Sequence, residues 1–230
     1  EAIADYDALL ARWPDDAIAY NNRGSAHKAL GALDKALADF DRALARMPRN
    51  GNFHDNRGNT LQALGRFDAA QAAFEAALAA DPAALRPLFS KALLLLLQGD
   101  FTAGWPLYEA RARHFAVPGL NDARSWNDPA ADIAGKTVLL YDEQGIGDAI
   151  QFARFADAVR RRGAHPVLML RPALAALFQG LTPTAEIVTL RDAPPAHDLH
   201  AALNSLPFLL GVGADVGMAA PYLAADSARS

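Results

Sequence analysis

Residues 17–48 read AIAYNNRGSAHKALGALDKALADFDRALARMP, and residues 51–82 read GNFHDNRGNTLQALGRFDAAQAAFEAALAADP; a shift of 34 lays one on the other. Gly24 falls on Gly58, Gly31 on Gly65 and then Gly99, Ala36 on Ala70, Phe40 on Phe74 and then Tyr108, and Leu44 on Leu78. Pro14, Pro48 and Pro82 stand one period apart. Backwards, Ala2, Tyr6 and Leu10 occupy the phases of Ala36, Phe40 and Leu44. A fixed period of this length marks stacked supersecondary units, each of which buries its apolar face only against its neighbours.

The recurring residues have physical reasons. Gly24 and Gly58 lie inside a helical pattern, where glycine costs about 1 kcal/mol against alanine; such a glycine is kept where another helix approaches closely. Gly31, Gly65 and Gly99 end the first helix of each pair, the usual place of a left-handed cap. Ala36 and Ala70 are small for the same packing reason as the glycines, and Phe40 and Phe74 are the bulky knobs that fill the space. Pro48 and Pro82 stop the second helix. The pattern resembles the tetratricopeptide repeat (TPR), and the resemblance covers residues 1–115 as three and a half repeats. The fourth pair diverges, with Ala92 and Gly104 where glycine and alanine are expected. The first repeat lacks its opening helix, so the helix carrying Ala2, Tyr6, Leu9 and Leu10 is expected to leave an apolar face for self-association or to fray.

In a TPR stack the first helices line a groove. Asn22 and Asn56 share a phase, as do Asn21 and Asp55, and Ser25 and Asn59. Residues three or four apart share a helix face, so Asn21, Asn22, Ser25, Asp55, Asn56 and Asn59 are read as a polar strip able to grip the backbone of a protein or peptide, since an amide side chain both donates and accepts. The strip resembles the asparagine ladder of O-GlcNAc transferases. The same residues could equally bond among themselves and stabilise their own helices. Arg23 and Arg57 are expected to reach nearby carboxylates.

The period changes beyond residue 115. Residues 116–133, with Pro118, Gly119, Asn121, Asp128 and Pro129, read as a linker anchored by Trp126. From residue 134 to 230 apolar runs alternate with helical patterns: strands at Lys136–Tyr141, His165–Leu170, Glu186–Leu190 and His197–His200, and helices at Ala149–Arg162, Pro172–Gln179 and near Leu206–Leu210. Such alternation predicts a parallel sheet flanked by helices, making the fold class α plus α/β: a TPR helical-hairpin solenoid followed by a partial Rossmann-like sheet. The loop Gly145-Ile146-Gly147-Asp148 sits between a strand and a helix N-terminus, where free amides favour an anion. A dinucleotide fingerprint is excluded because Ile150 stands where its third glycine belongs and no acidic residue follows the second strand. A Walker A loop is excluded for want of Gly-Lys-Ser/Thr. His197 and His200, on a strand, are read as facing opposite sides and as poor metal ligands, and no metal is expected.

Gly99–Arg111 (GDFTAGWPLYEAR) followed by Gly135–Arg154 (GKTVLLYDEQGIGDAIQFAR) resembles bacterial TPR proteins fused to a GT-B, heptosyltransferase-like glycosyltransferase domain, and His197-Asp198-Leu199-His200 and Ser205-Leu206-Pro207 continue the resemblance to about Leu223. That resemblance implies a nucleotide-sugar donor for a full-length enzyme, no cofactor in this stretch, and Asp148 as the base for an acceptor hydroxyl. Asp148 also has the position of a helix cap, and Asp142 and Glu143 have weaker claims. The chain opens at Glu1 inside a helical pattern and reaches Ser230 without a second lobe, so it is expected to be an inactive N-terminal fragment. A scaffold whose second half is structural is the alternative.

Composition narrows the partners. Apolar residues make up 52% and charged residues 21% of 230, and net charge is −4. That is a folded chain without the basic face that nucleic acid requires. No run is long enough to span a bilayer. The chain has no cysteine, which removes disulfides and fits a reducing compartment, with the cytoplasm the expected location.

Overall fold

The computed structural model describes residues 1–114, 119–120, 122–178 and 185–213. The chain divides into two compact units, Glu1–Arg111 and Ala112–Ser230.

The first unit consists of antiparallel helix pairs. Helix α1 (Ala2–Arg12) precedes the pairs α2 (Ala17–Ala29) with α3 (Leu33–Arg46), α4 (Gly51–Ala63) with α5 (Phe67–Ala80), and α6 (Leu85–Leu97) with α7 (Phe101–Tyr108). The turn chemistry repeats with the sequence. Gly31, Gly65 and Gly99 follow the first helices with φ of 75°, 71° and 82°, the left-handed conformation glycine adopts without steric cost. Asp16 accepts the Ala19 N–H at 2.9 Å and Asn50 the Phe53 N–H at 3.2 Å, capping α2 and α4.

The close approaches expected at the mid-helix glycines are present. A Cβ on Gly24 would lie 2.9 Å from Cε1 of Phe40. Phe40, Phe74, Ala36 and Ala70 are fully buried. In the last pair the small residue has changed helices. Ala92 is fully buried in α6, and Gly104 of α7 takes the tight contact, its Cβ position 2.7 Å from Cδ2 of Leu96. Ala92 and Gly104 therefore exchange roles within the contact. Pro106 lies inside α7 and supplies no amide to the helical ladder; three residues on, the helix tightens into a 3-10 turn over Glu109–His114. On α1 only Leu10 is buried, and Ile3, Tyr6 and Leu9 are half-buried.

The second unit is a four-stranded sheet with every pairing parallel. Its strands are β1 (Thr137–Tyr141), β2 (His165–Leu170), β3 (Glu186–Thr189) and β4 (Leu199–Ala202), in the order β3-β2-β1-β4. Val138, Leu140, Leu168 and Leu170 are fully buried on one face. Leu139, Val167 and Met169 form a cluster on the other, with Leu120, Tyr141, Val188 and Leu190 packed against it. Strands buried on both faces read as continuous apolar runs, which is why β1 and β2 are evident in the sequence.

Besides one-residue shifts at Lys136, Leu190 and Leu210, two elements differ from expectation. The predicted helix Ala149–Arg162 starts at Ile146 and is two helices, α8 (Ile146–Ala153) and α9 (Ala156–Arg161). At the break the Phe155 N–H bonds the Phe152 carbonyl at 3.0 Å, and the buried Phe152 and Phe155 rings stack with centroids 6.3 Å apart. The fourth strand begins at Leu199, not His197. Asp198 already serves β1 in place of a ladder residue: its Oδ2 accepts the Thr137 N–H at 2.8 Å and its own N–H donates to the Thr137 carbonyl at 2.9 Å. Helix α10 covers Pro172–Phe178 and α11 covers Leu206–Leu209.

Of the expected linker 116–133, residues 116–118 and 121 lie outside the described residues, as do 179–184 and 214–230 of the expected lobe. What is described of that linker is tied to the sheet. The buried Trp126 donates its backbone N–H to the His200 carbonyl at 2.8 Å, and Ser125 bridges His200 in parallel.

Candidate functional site

Helix α4 contacts both α2 and α6, and a polar row crosses the three. Asn56 Nδ2 donates to Asn21 Oδ1 at 2.8 Å, and Asn21 Nδ2 to Asn22 Oδ1 at 3.3 Å. Asn59 Nδ2 donates to Ser90 Oγ at 3.3 Å and to the Asp55 carbonyl at 2.8 Å, while Ser25 Oγ donates to the Asn21 carbonyl at 3.0 Å. Of the six predicted residues, Asn56 and Asn21 bond each other across helices, one residue out of phase, whereas the bonds of Asn22 and Ser25 stay on α2 and that of Asn59 to Asp55 stays on α4. Part of their hydrogen-bonding capacity is spent within the row.

Asp55 organises the row's charge. Its residue surface is fully buried, and Oδ2 accepts from Arg86 Nη2 at 2.7 Å. The same Arg86 Nη2 donates to Asn56 Oδ1 at 3.1 Å. Asp55 Oδ1 is buried without a hydrogen-bond partner among the described residues. Lys28 of α2 lies in the field of this pair. Burial lowers its pKa first, Asp55 raises it and Arg86 lowers it further. The sequence reading missed Lys28 and Arg86. Arg86 stands 31 residues after Asp55, so a search at the repeat period does not pair them.

A second set of charges does follow the period. Arg23 reaches Asp7 at 2.6 Å, Arg57 reaches Asp41 at 2.6 Å, and Lys91 reaches Glu75 at 2.9 Å. Each cation lies on a first helix and each acid on the second helix of the preceding repeat, sixteen residues upstream. Arg23 also grips the buried Asp39 through Nε at 2.8 Å and Nη2 at 2.6 Å, and these bonds hold its pKa above the ordinary arginine value. The expectation that Arg23 and Arg57 reach carboxylates holds in this geometry.

In the second unit, Asp142 closes β1, its N–H donating to the Met169 carbonyl at 3.0 Å. Strand β1 lies between β2 and β4, so the loop after it opens at the point where strand order reverses, a place where parallel sheets bind ligands. Asp148 Oδ2 accepts the Gly145 N–H at 3.1 Å, which caps α8 and commits one of the loop's amides. Gly145 and Gly147 have no left-handed backbone. A Cβ on Gly147 would meet nothing within 4 Å. What this glycine contributes is a bare, exposed surface, not a turn that only glycine can make.

Asp142 is the perturbed carboxyl here. It is buried, with Arg171 Nε at 3.1 Å from Oδ2. Burial pushes its pKa up, partly offset by the Arg171 charge and by the amides of Arg171 and Gln144 that point at it, while Asp148 adds to the rise. His197 and His200, expected on opposite sides of a strand, are in contact. His197 Nε2 and His200 Nδ1 are 3.3 Å apart, and His197 Nδ1 lies 2.7 Å from the Pro195 carbonyl. His197 precedes the strand, so strand alternation does not govern it. Among the described residues no three acidic, histidine or cysteine side chains are grouped to hold a metal ion, and no helix is long and apolar enough to cross a membrane.

The Tetratricopeptide repeat family model matches residues 1–51 and 56–118. Protein FlbA of Caulobacter vibrioides is 33% identical over 111 residues, which is 45% of this chain and 18% of FlbA; the chain thus spans less than a fifth of that relative. Among solved structures, a tetratricopeptide repeat protein from Parabacteroides merdae has a TM-score of 0.46 at 20% identity, covering 49% of this chain and 44% of that one. MamA has a TM-score of 0.45 at 15% identity, covering 48% and 65%. The TPR2B domain of yeast Sti1 in its complex with pHsp70 has a TM-score of 0.40 at 20% identity, covering 41% and 75%.

Proposed function

Because the matched residues 1–51 and 56–118 make the first unit a tetratricopeptide-repeat array, a protein-interaction module, we propose that the polar row on α2, α4 and α6 receives an extended segment of a partner protein or peptide. The observation that carries this reading is the row's unspent capacity. Asn22 Nδ2, the second proton of Asn56 Nδ2 and Asn59 Oδ1 make no hydrogen bond among the described residues. Amide side chains left half-satisfied at a surface pair with the C=O and N–H groups of an extended chain. The test is a bound peptide, selected from a display library against the intact chain, and its affinity for Asn22→Ala/Asn56→Ala. The double variant keeps the helical circular dichroism of the parent and loses affinity; unchanged affinity removes the row from the binding surface. The half-buried apolar face of α1 supports a subsidiary reading, self-association, which sedimentation velocity across a concentration series tests.

For the second unit we propose a Rossmann-like lobe that serves a glycosyltransferase, with the first unit recruiting a protein acceptor. The parallel order β3-β2-β1-β4 and the open loop at the reversal of strand order support it. Asp148 is the base this reading names, acting on an acceptor hydroxyl with a nucleotide-sugar as donor. Sugar transfer by the natural protein that carries this chain, abolished by Asp148→Ala, is the expected result. Absence of transfer from a panel of nucleotide-sugars assigns the lobe a structural part in an adaptor.

A further inference from the structure

His197 and His200 form an imidazole pair whose hydrogen bonds fix how many protons it holds. His197 Nδ1 lies 2.7 Å from the Pro195 carbonyl, and an imidazole nitrogen bonds a carbonyl only as an N–H donor. Nε2 of a neutral His197 is therefore an acceptor, and it receives the Nδ1–H of His200 across 3.3 Å. One added proton leaves that bond in place, since one nitrogen of the contact still accepts. A second proton puts N–H against N–H, and the contact parts. His200 is buried, where a charge without a partner is costly.

The surrounding groups do not offset two positive charges. The Tyr141 ring of β1 faces His200 with centroids 6.2 Å apart. Asp198 turns its carboxylate to the Thr137 N–H of β1 at 2.8 Å. Arg124 Nη1 donates to the His197 carbonyl at 3.1 Å and brings a further positive charge. Among the described residues no carboxylate joins the two imidazoles closely enough to share a metal ion with them. The same two histidines hold the cover of the sheet edge. Strand β4 ends the sheet on one side. Along its outer edge the Trp126 backbone N–H bonds the His200 carbonyl, Ser125 bridges His200, and Arg124 bonds the His197 carbonyl.

We propose that the His197–His200 pair is a proton-operated latch: neutral or singly protonated, it holds residues 124–126 on the outer edge of β4, and a second proton releases them and bares that edge for strand pairing. Histidine is the side chain whose charge changes nearest neutral pH, and an uncovered edge offers a row of N–H and C=O groups to another strand. Because the open form binds more protons than the closed one, acid favours opening, by up to about tenfold per pH unit for each extra proton bound.

The test is native-state hydrogen exchange of the whole chain, read amide by amide by NMR and corrected for the intrinsic pH dependence of exchange. The Trp126 amide is the reporter, and the β1 amides, between two strands, are the reference. From about pH 8 to about pH 5 the opening of Trp126 rises at least about tenfold while β1 stays closed. His197→Asn, which keeps the backbone carbonyl that Arg124 bonds, removes the rise, and so does His200→Gln. Imidazole nitrogen spectra of the parent show Nδ1–H on both rings at the upper pH and doubly protonated rings where Trp126 opens. Constant protection of Trp126 overturns the latch. So does an acid-driven rise that persists in both variants, or opening of β1 together with Trp126. If neither variant folds, the parent's spectra decide: rings still neutral where Trp126 opens overturn the assignment to this pair.

Discussion

A methyl group placed on Gly58 would lie 2.5 Å from Cε1 of Phe74, inside any tolerated carbon contact. The ring belongs to the second helix of the same repeat and is fully buried, so it cannot swing away.

Gly58→Ala therefore destabilises the chain. The overpacking cost is about 1–3 kcal/mol, against roughly 1 kcal/mol gained from helix propensity. Gly24→Ala, whose nearest contact is 2.9 Å, is the milder of the two. Urea unfolding of both variants shows the order; a Gly58→Ala protein more stable than its parent contradicts the packing.

Arg23 and Arg57 occupy the same phase and differ in what they hold. Arg57 pairs with an Asp41 that is half-exposed, whereas Arg23 grips Asp39, 2% exposed. Arg57→Met stays within about 1 kcal/mol of the parent. Arg23→Met leaves the buried Asp39 carboxylate to Arg42 at 3.1 Å and the more distant His27 at 3.9 Å and loses about 2–3 kcal/mol. Chemical denaturation of the two variants separates them.

Lys28 is less stable where it is charged. Its folded pKa is lowered, chiefly by burial, so its contribution to stability is complete above the ordinary lysine value and is lost as pH falls through the folded value. Lys28→Met is accordingly more stable than the parent at neutral pH, and the advantage disappears by about pH 11.

Asp142 and Asp148 respond differently to removal of charge. Burial raises the folded pKa of Asp142, so its stabilising contribution is present below the ordinary carboxyl value and is lost as pH rises through the folded one. Relative to Asp142→Asn, the parent loses stability as pH rises above the ordinary carboxyl value of about 4. Asp148→Ala removes the acceptor for the Gly145 amide and costs about 1 kcal/mol, while Asp148→Asn restores most of it. Thermal unfolding at several pH values reads both.

Much of the first unit was legible in residues because its determinants are local or periodic. The glycine caps, the proline stops and the pairing of Gly24 with Phe40 recur with the repeat, and each needs only a few neighbouring residues to be understood. Strands β1 and β2 were legible as apolar runs. The break at Arg154 was not, because the apolar spacing of Ile150, Phe152, Phe155 and Val159 is compatible with one helix. The start of β4 was hidden for a similar reason, since Asp198 borrows a ladder position with its side chain.

By itself, then, the sequence determined the helix pairs of residues 1–108, the alternation of strand and helix that follows, and the polar character of the row on α2, α4 and α6. Only the tertiary structure decided which polar groups meet. The stagger between neighbouring helices brings Asn56 to Asn21, one residue off the repeat, and sets Arg86 on Asp55, three residues short of it. The chain's departure before β4 brings His197 to His200. A repeat period fixes the phase of each helix about its own axis, but a hydrogen bond between helices depends on their relative slide and on side-chain reach, which packing of the whole stack sets.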